Sequence, residues 1–300
     1  MTSSTAERWK GLALMVGAGL CWSTGGILVR STDLQDPWEI VLWRSAFMVI
    51  FVAAWLAVLS RGRVVAKVAA AGMPGVLSGL ALAAMFFFFI LSLTRTTVAN
   101  TLVLMSTGPF FAALAGRLFL GERVPVRTWL AIAIALTGIA LMFAEGLGAG
   151  RIAGNLLALC VPVAFAFNIV VLRRHRSTVD LVPAVMLAGI FSIAVAIPLA
   201  WPLAPTARDL VVLGTMGVFQ LGAGCVLMTM ASRYLTAGEI GLLALLETIL
   251  GPLWVWLGIG ERPSDLALVG GLIVVGALAA NSVAGMRGRA AASAVPTTSS

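Results

Sequence analysis

Long apolar stretches alternate with short polar segments along nearly the whole chain. A helix that crosses a membrane needs about 20 mostly apolar residues, and ten stretches of about this length follow one another. The pattern therefore predicts an all-α membrane protein with ten transmembrane helices. They lie between a polar N-terminus (1–10) and an Ala/Ser/Thr-rich tail (285–300) that we expect to be flexible. The predicted spans are Gly11–Val29, Trp38–Leu59, Gly72–Leu93, Val98–Leu120, Thr128–Ala144, Gly154–Leu172, Leu181–Pro202, Leu210–Ser232, Gly238–Ile259 and Ser264–Ala284.

One of these helices occurs twice in the chain. Thr97–Arg123 matches Thr236–Arg262 without a gap at an offset of 139 residues, and both segments end in Gly-Glu-Arg. This offset makes each half five helices long, and we place the halves at 11–144 and 152–284. Because five is odd, the second half enters the membrane from the opposite side. We therefore expect two inverted five-helix repeats, related by a pseudo-two-fold axis in the membrane plane.

A weaker match joins the first helices of the two halves. Cys21–Arg30 aligns with Ala164–Arg173, which places Trp22 opposite Phe165 in the repeat. Inverted halves can exchange conformations, and this exchange is the geometrical basis of alternating access in transporters.

Composition and charge agree with a lipid environment. The chain is 60% hydrophobic and 11% charged, with a mean hydropathy of +1.05, which leaves too little polar surface for a soluble globule. Cytoplasmic loops carry the excess of Lys and Arg. With both termini cytoplasmic, 13 Lys and Arg residues fall inside and 5 outside. This topology explains the net charge of +8, and we expect no nucleic-acid partner.

The sequence offers little material for a cofactor or a metal. The three cysteines, Cys21, Cys160 and Cys225, all fall within predicted spans, where a thiol behaves as a small apolar side chain. The only histidine, His175, lies in a basic loop without a second His or Cys beside it to complete a metal site. We expect no cofactor, no metal site and no disulfide.

The two halves, each with an apolar helix that ends in Gly-Glu, resemble the EamA-type drug/metabolite transporters. In that family a proline commonly stands thirteen residues before the Glu, as Pro109 does before Glu122. The second half has Glu247-Thr248 where the family usually has Glu-Pro, and Pro252 follows a few residues later. The resemblance implies a ten-helix exporter, similar in layout to the exporters of aromatic and other amino acids.

Charged residues inside the spans are the first candidates for a site. A charge at the bilayer centre costs about 2.5–3.5 kcal/mol on insertion scales and usually serves a function. Glu247 lies close to the middle of the ninth span, where we expect it to bind a substrate ammonium group, to couple protons, or to serve as a neutral structural acid. Arg44 lies nearer to the outer end of its span, where it can attract a substrate carboxylate, form a structural charge pair or snorkel to the interface. Arg117 lies one turn from the inner end of its span and suits an interfacial anchor or a gate partner.

Uncharged polar groups and prolines extend the candidate site. The polar candidates either bind substrate or join neighbouring helices by hydrogen bonds, and an aromatic side chain in mid-span can form a cavity wall. Prolines within spans free backbone carbonyls and act as hinges. The polar and aromatic candidates are Asn168, Thr248, Trp22, Ser23, Gln220, Ser106 and Thr107, and the predicted hinges are Pro109, Pro162 and Pro252.

The sequence leaves several functions open. The leading one is a secondary transporter in the inner membrane that exports amino acids or related small metabolites by alternating access. A drug, cation or nucleotide-sugar carrier of the same fold is the alternative, and an intramembrane enzyme is disfavoured because nucleophiles and acid/base groups do not converge. No Walker A motif occurs, so we expect either proton coupling or facilitated diffusion rather than ATP hydrolysis.

Overall fold

The chain folds as a bundle of helices that spans the membrane several times. The computed structural model of the protein describes residues 5–121, 124–148, 151–174, 181–231, 234 and 237–293, and no strand occurs within these ranges. The helices are α1 Thr5–Ser23, α2 Gly25–Arg30, α3 Pro37–Leu59, α4 Val64–Ala70, α5 Gly72–Leu93, α6 Val98–Met105, α7 Gly108–Leu120, α8 Val126–Gly148, α9 Ile152–Arg174, α10 Leu181–Leu199, α11 Ala207–Thr215, a π-helical segment Met216–Ala223, α12 Gly224–Ala231, α13 Ala237–Ile259 and α14 Asp265–Ser293.

The ten apolar spans predicted from the sequence are confirmed. Six described helical stretches are long and apolar enough to cross a membrane, and four shorter apolar helices occupy the positions of the other spans. Three spans are interrupted. The first is divided between α1 and α2 at Thr24, the fourth between α6 and α7 at Ser106 and Thr107, and the eighth contains the π-helical segment.

The C-terminal helix is longer than the sequence pattern suggests. Helix α14 continues to Ser293, past Gly285, where we expected the flexible tail to begin. The additional residues include three consecutive alanines, and alanine has the highest intrinsic helix propensity. Residues 294–300 of the predicted tail, like His175 and Glu122, lie outside the described residues.

Local signals set several helix ends, and some of them repeat between the halves. The Thr97 hydroxyl accepts a hydrogen bond from the Asn100 amide at 3.1 Å and caps the start of α6. Gly121 ends α7 with φ of 66°, and Gly260 follows α13 with φ of 76°. Glycine reaches this left-handed conformation without steric cost. The duplicated Gly-Glu sequence is therefore the same helix terminus, used once in each half.

The packing of the helices follows the repeat. Helices of the first half pack mainly against helices of the second: α5 and α7 against α9, α3 against α10, α8 against α14, and α1 against α12 and α13. When the two halves are exchanged, the packed pair of α5 and α9 corresponds to the pair of α12 and α1, and the pair of α7 and α9 corresponds to the pair of α13 and α1. The pair of α3 and α10 and the pair of α8 and α14 each correspond to themselves. This pattern is that of two inverted five-helix repeats.

Close contact between α8 and α14 depends on two glycines. A Cβ atom at Gly138 would lie 2.5 Å from the Gly270 carbonyl oxygen, and one at Gly270 would lie 2.7 Å from the Gly138 carbonyl oxygen. Small residues at such crossings let backbones approach in the membrane, where lipid supplies no hydrophobic drive for helix association. The α8–α14 pair thus joins the last helices of the two halves.

Candidate functional site

Three of the predicted site residues lie at the interruptions in the spans. The Ser23 hydroxyl donates to the Leu20 carbonyl at 2.8 Å, at the end of α1. The Ser106 hydroxyl donates to Val103 at 2.7 Å, and the Thr107 hydroxyl donates to a carbonyl of α6 at 2.6 Å. Hydroxyls that bond their own backbone compete with the helical ladder. Irregular backbone at membrane depth is tolerated where it is buried in protein or lines a cavity.

The predicted hinge prolines lie in three different settings. Pro109 stands in the first turn of α7, immediately after the break in the fourth span. Backbone N–H groups of a first turn have no partner within the helix, so a proline there removes no helical hydrogen bond. Pro162 and Pro252 lie inside α9 and α13, and both helices continue through them. The helical structure is interrupted at Thr24 and at Ser106–Thr107 instead. There the hydroxyls of Thr24 and Ser106 donate to backbone carbonyls three residues earlier in the chain.

Arg44 is the most deeply buried charged side chain of the candidate set. It is 1% exposed, so the snorkelling interpretation of Arg44 is wrong. Its Nη2 donates to the Phe86 carbonyl at 3.3 Å, its guanidinium lies 5.3 Å from the centre of the Phe86 ring, and its Nε has no partner. The π-helical segment packs against α3, with Gly217 close to the Arg44 carbonyl, and the Arg44 guanidinium extends to Phe86 of α5.

Helices of both halves meet around Trp22. Helix α1 packs against α12 and α13 of the second half. Gly224 of α12 lies directly beside the Trp22 indole, so a side chain at that position would collide with Trp22. Glu247, the other charged candidate, lies on α13.

Three further polar candidates, Ser23, Gln220 and Thr248, lie on helices of both halves. The Trp254 indole donates to the Ser23 hydroxyl at 2.9 Å and ties α13 to the break in the first span. Gln220 is buried in the π-helical segment beside Gly25, and its Oε1 has no partner. Thr248 is buried next to Glu247, which is itself only partly exposed.

Two predicted candidates lie elsewhere. Asn168 accepts a hydrogen bond from the Ser78 hydroxyl at 2.7 Å, and this fully buried bond joins α9 to α5. The Asn168 amide therefore joins two helices by a hydrogen bond, which was the alternative to a role in substrate binding. Arg117 is exposed on α7, as an interfacial side chain would be.

Charged groups also close one end of the bundle, which the distribution of Lys and Arg predicts to be the outer end. Arg30 pairs with Glu261 at 2.9 Å and donates to the Thr96 carbonyl at 2.8 Å. The other Glu261 oxygen accepts from the Val98 amide at 3.0 Å. We term this group the Arg30–Glu261 lock. It joins the ends of the first and ninth spans to the start of the fourth.

A buried polar network lies next to the lock. Asn155 of α9 accepts from the Thr96 hydroxyl at 2.7 Å and from the Asn100 amide at 3.3 Å. The Ser92 hydroxyl bonds with Thr101 at 2.8 Å and lies 2.9 Å from the carbonyl oxygen of Gly154. The network attaches the first helix of the second half to α5 and α6 of the first half at the same end as the lock.

Cys225 packs against an apolar cluster of α3, α5 and α10, as a small apolar side chain does. The sequence alone missed the role of Glu261. Glu261 bonds to the start of α6, far away in sequence. The only sequence signal for Glu261 is its place in the repeated Gly-Glu-Arg.

Comparisons with known proteins agree with this architecture. The model of the EamA-like transporter family matches residues 9–144 and 152–283. The chain is 26% identical to the pseudopaline exporter CntI of Pseudomonas aeruginosa over 88% of this chain and 93% of that protein. It is 27% identical to the uncharacterized transporter YdfC of Bacillus subtilis over 64% and 65% of the two chains. A solved crystal structure shares the fold, with a TM-score of 0.67, 17% identity and coverage of 92% and 98%.

Proposed function

Because the chain belongs to the EamA-like transporter family, we propose that it exports amino acids or closely related small metabolites across the inner membrane. Both termini lie in the cytoplasm in this proposal, as the distribution of Lys and Arg favours. Transport proceeds by alternating access, in which the two inverted halves expose one central site first to one side and then to the other.

The observation that supports the proposal is a pair of charged side chains within the spans, one from each half of the chain. Arg44 lies buried on α3 of the first half, and Glu247 lies on α13 of the second half. Charged side chains within a span are costly and mark substrate or ion pathways. A small molecule with both an acidic and a basic group offers a partner to each of them.

The Arg30–Glu261 lock supports the alternating-access part of the proposal. It closes one end of the bundle with bonds that are partly exposed and therefore reversible, since the side chains of Arg30 and Glu261 are 29% and 27% exposed. Gly121, which ends α7, is the first-half equivalent of Gly260, and an inverted repeat places these two helix ends at opposite membrane faces.

The match to the pseudopaline exporter favours a second candidate, export of pseudopaline or a related compound. Carriers of drugs, cations or nucleotide sugars remain the alternative within the fold. Arg44 distinguishes amino acids from cationic drugs, because a purely cationic drug has no acidic group for Arg44 to bind. A proton-coupled mechanism would use Glu247 as the coupling acid.

The experiment is uptake of a panel of radiolabelled amino acids into liposomes that contain the purified protein, with and without an imposed pH gradient. Labelled pseudopaline is assayed in the same way, and a cationic dye is added as a competitor. Saturable uptake of particular amino acids is the expected result, and its dependence on the gradient reports proton coupling. If folded protein takes up no amino acid, the proposal is wrong. Uptake of pseudopaline instead would support the second candidate.

A further inference from the structure

Three basic side chains surround the short helix α4, at the end of the bundle opposite the Arg30–Glu261 lock. Arg61 and Arg63 lie in the turn before α4, and Lys67 lies within the helix. All three are exposed, and within the described residues none of them takes part in an ion pair. The sequence has no acidic residue from position 40 to position 121. We term Arg61, Arg63 and Lys67 the α4 basic group.

The turn before α4 holds one of these bases in a conformation that favours glycine. Helix α3 ends where the Gly62 amide donates to the Ala57 carbonyl at 2.8 Å, and Arg61, just before that glycine, has φ of 53°. Within the described residues Arg61 is the only residue other than glycine with a positive φ. The left-handed conformation costs free energy for a residue with a side chain, and glycine is the usual residue at such a helix end. The turn itself therefore does not explain an arginine at this position, which points to a use for its charge.

Helix α4 presents its basic and its apolar residues on opposite flanks. Val64 packs against a buried cluster built mainly from α3, α5 and α10, and Val68, one turn later, is partly buried. At helical spacing Arg63 and Lys67 fall on one side of this contact, whereas Val65, which is 82% exposed, falls on the other side. A helix with one charged and one apolar flank at the ends of the spans suits a position in the membrane interface.

The equivalent segment of the second half uses its charge within the protein. Gly72–Val76 aligns with Gly214–Val218 at an offset of 142 residues, and this alignment places Lys67 opposite Asp209. Asp209 is 1% exposed and accepts from a neighbouring hydroxyl at 2.6 Å and from a backbone amide at 2.9 Å. There α11 continues directly into the π-helical segment, whereas Gly72, with φ of 54°, separates α4 from α5. The first half thus has a separate surface helix whose charges the described residues do not pair.

We propose that the α4 basic group binds the headgroup of an anionic phospholipid in the leaflet at this end of the bundle. Arg and Lys donate charge-assisted hydrogen bonds to phosphate oxygens, and the acyl chains of the same lipid lie against the exposed Leu59 and Val65. Each base near an anionic membrane surface strengthens binding about fivefold. A zwitterionic lipid carries a cation beside its phosphate and gains less. The site is independent of the molecule that the protein transports.

The test measures lipid binding to the purified full-length protein in detergent. Phosphatidylglycerol and phosphatidylcholine with identical acyl chains are titrated separately, and bound lipid is counted by native mass spectrometry. We expect phosphatidylglycerol to bind at least tenfold more tightly. A triple variant with glutamine at all three positions of the α4 basic group should lose this preference, and Arg61→Lys with Arg63→Lys, which keeps the charge, should retain it. The matched control removes the same charge from three exposed bases at the opposite end and should bind normally: Arg95→Gln, Arg208→Gln and Arg262→Gln.

Hydrogen exchange locates the bound lipid. The protein is placed in nanodiscs of phosphatidylcholine with or without phosphatidylglycerol, and exchange is followed in the peptide that covers residues 60–72. This peptide should exchange more slowly when the anionic lipid is present, because a bound headgroup stabilises the turn and α4. The triple glutamine variant should show no such difference.

Several results would overturn the lipid site. Equal affinity for the two lipids does so, and so does an unchanged preference in the triple glutamine variant. An equal loss in the control variant would assign the effect to net charge, and slower exchange confined to other peptides would place the lipid elsewhere. Displacement of the lipid by an excess of inorganic phosphate would identify a site for a soluble anion instead. If the triple variant does not fold, Lys67→Gln alone should weaken phosphatidylglycerol binding about fivefold, and unchanged binding would contradict the proposal.

Discussion

Glu261→Gln should loosen the Arg30–Glu261 lock without disturbing the rest of the bundle. The Glu261 carboxylate accepts from Arg30 Nε at 2.9 Å and from the Val98 amide at 3.0 Å. A glutamine keeps the size and one oxygen acceptor, but it removes the charge. The substitution therefore weakens two charge-assisted bonds at once.

The expected magnitude follows from the exposure of the pair. Hydrogen bonds to charged groups contribute about 1.5–3 kcal/mol when buried, while exposed ion pairs contribute about 0–1 kcal/mol. The Arg30 and Glu261 side chains are 29% and 27% exposed, so we expect a loss near the lower end of the buried range, about 1–2 kcal/mol. Such a loss increases the population of the open end about 5- to 30-fold.

The Val98 amide is a direct reporter of this change. It belongs to the first residue of α6, where the backbone N–H has no partner within the helix, and Glu261 supplies its acceptor. Hydrogen exchange of the peptide that contains Val98 should accelerate by about the same factor in Glu261→Gln protein. Asp33→Asn is the matched control, because it removes the same charge from an exposed pair with Arg208 at the same end.

Unchanged exchange at Val98 in folded Glu261→Gln protein would refute the lock. Equal acceleration in Asp33→Asn protein would also refute it, because the effect would then belong to the general loss of negative charge. A double-mutant cycle of Arg30→Gln with Glu261→Gln isolates the pair, and the two effects should be less than additive.

Other substitutions test the centre of the bundle. Glu247→Gln should reduce transport at least tenfold and change the melting temperature little, and a rate unchanged across pH would exclude Glu247 from the mechanism. Asn168→Ala should lower the free energy of unfolding by about 1–3 kcal/mol, because it leaves a buried serine hydroxyl of α5 unpaired; weakened binding with a normal melting temperature would return Asn168 to the substrate site. Gly224→Ala should displace the Trp22 indole and weaken substrate binding, whereas Gly276→Ala, where a Cβ meets open space, should bind normally.

The sequence predicted the spans because lipid imposes one simple requirement. Each crossing needs about 20 apolar residues with all backbone groups bonded internally, and that requirement is visible in the hydropathy pattern. The internal match of Thr97–Arg123 with Thr236–Arg262 then predicted the inverted halves. The repeated left-handed glycines, Gly121 and Gly260, give this match a physical basis.

The interruptions in the spans depend on tertiary contacts and were harder to predict. Prolines are the usual signal for a kink, yet α9 and α13 continue through Pro162 and Pro252. The breaks at Thr24 and Ser106 occur where hydroxyls bond nearby carbonyls. Ser and Thr are common in membrane helices, so their presence alone does not distinguish a break from a continuous helix.

The sequence selects candidate site residues but not their arrangement. Charge within an apolar span makes Glu247 and Arg44 candidates, because hydrocarbon excludes such groups. Hydropathy gives the depth of a residue but not the direction of its side chain, so it could not separate Arg44, which is buried, from Arg117, which is exposed. The contact between the Trp22 indole and α12 at Gly224 arises only from the packing of helices from the two halves.

The central claim is that one site is exposed alternately to the two sides of the membrane, and counterflow tests it most directly. Liposomes that contain the protein are preloaded with a high concentration of an unlabelled amino acid and diluted into a trace of the same labelled amino acid. A transporter with one alternating site exchanges the two, so the label should accumulate transiently above its equilibrium level and then decline. A label that rises only to equilibrium, as through a channel or a leak, would contradict the account.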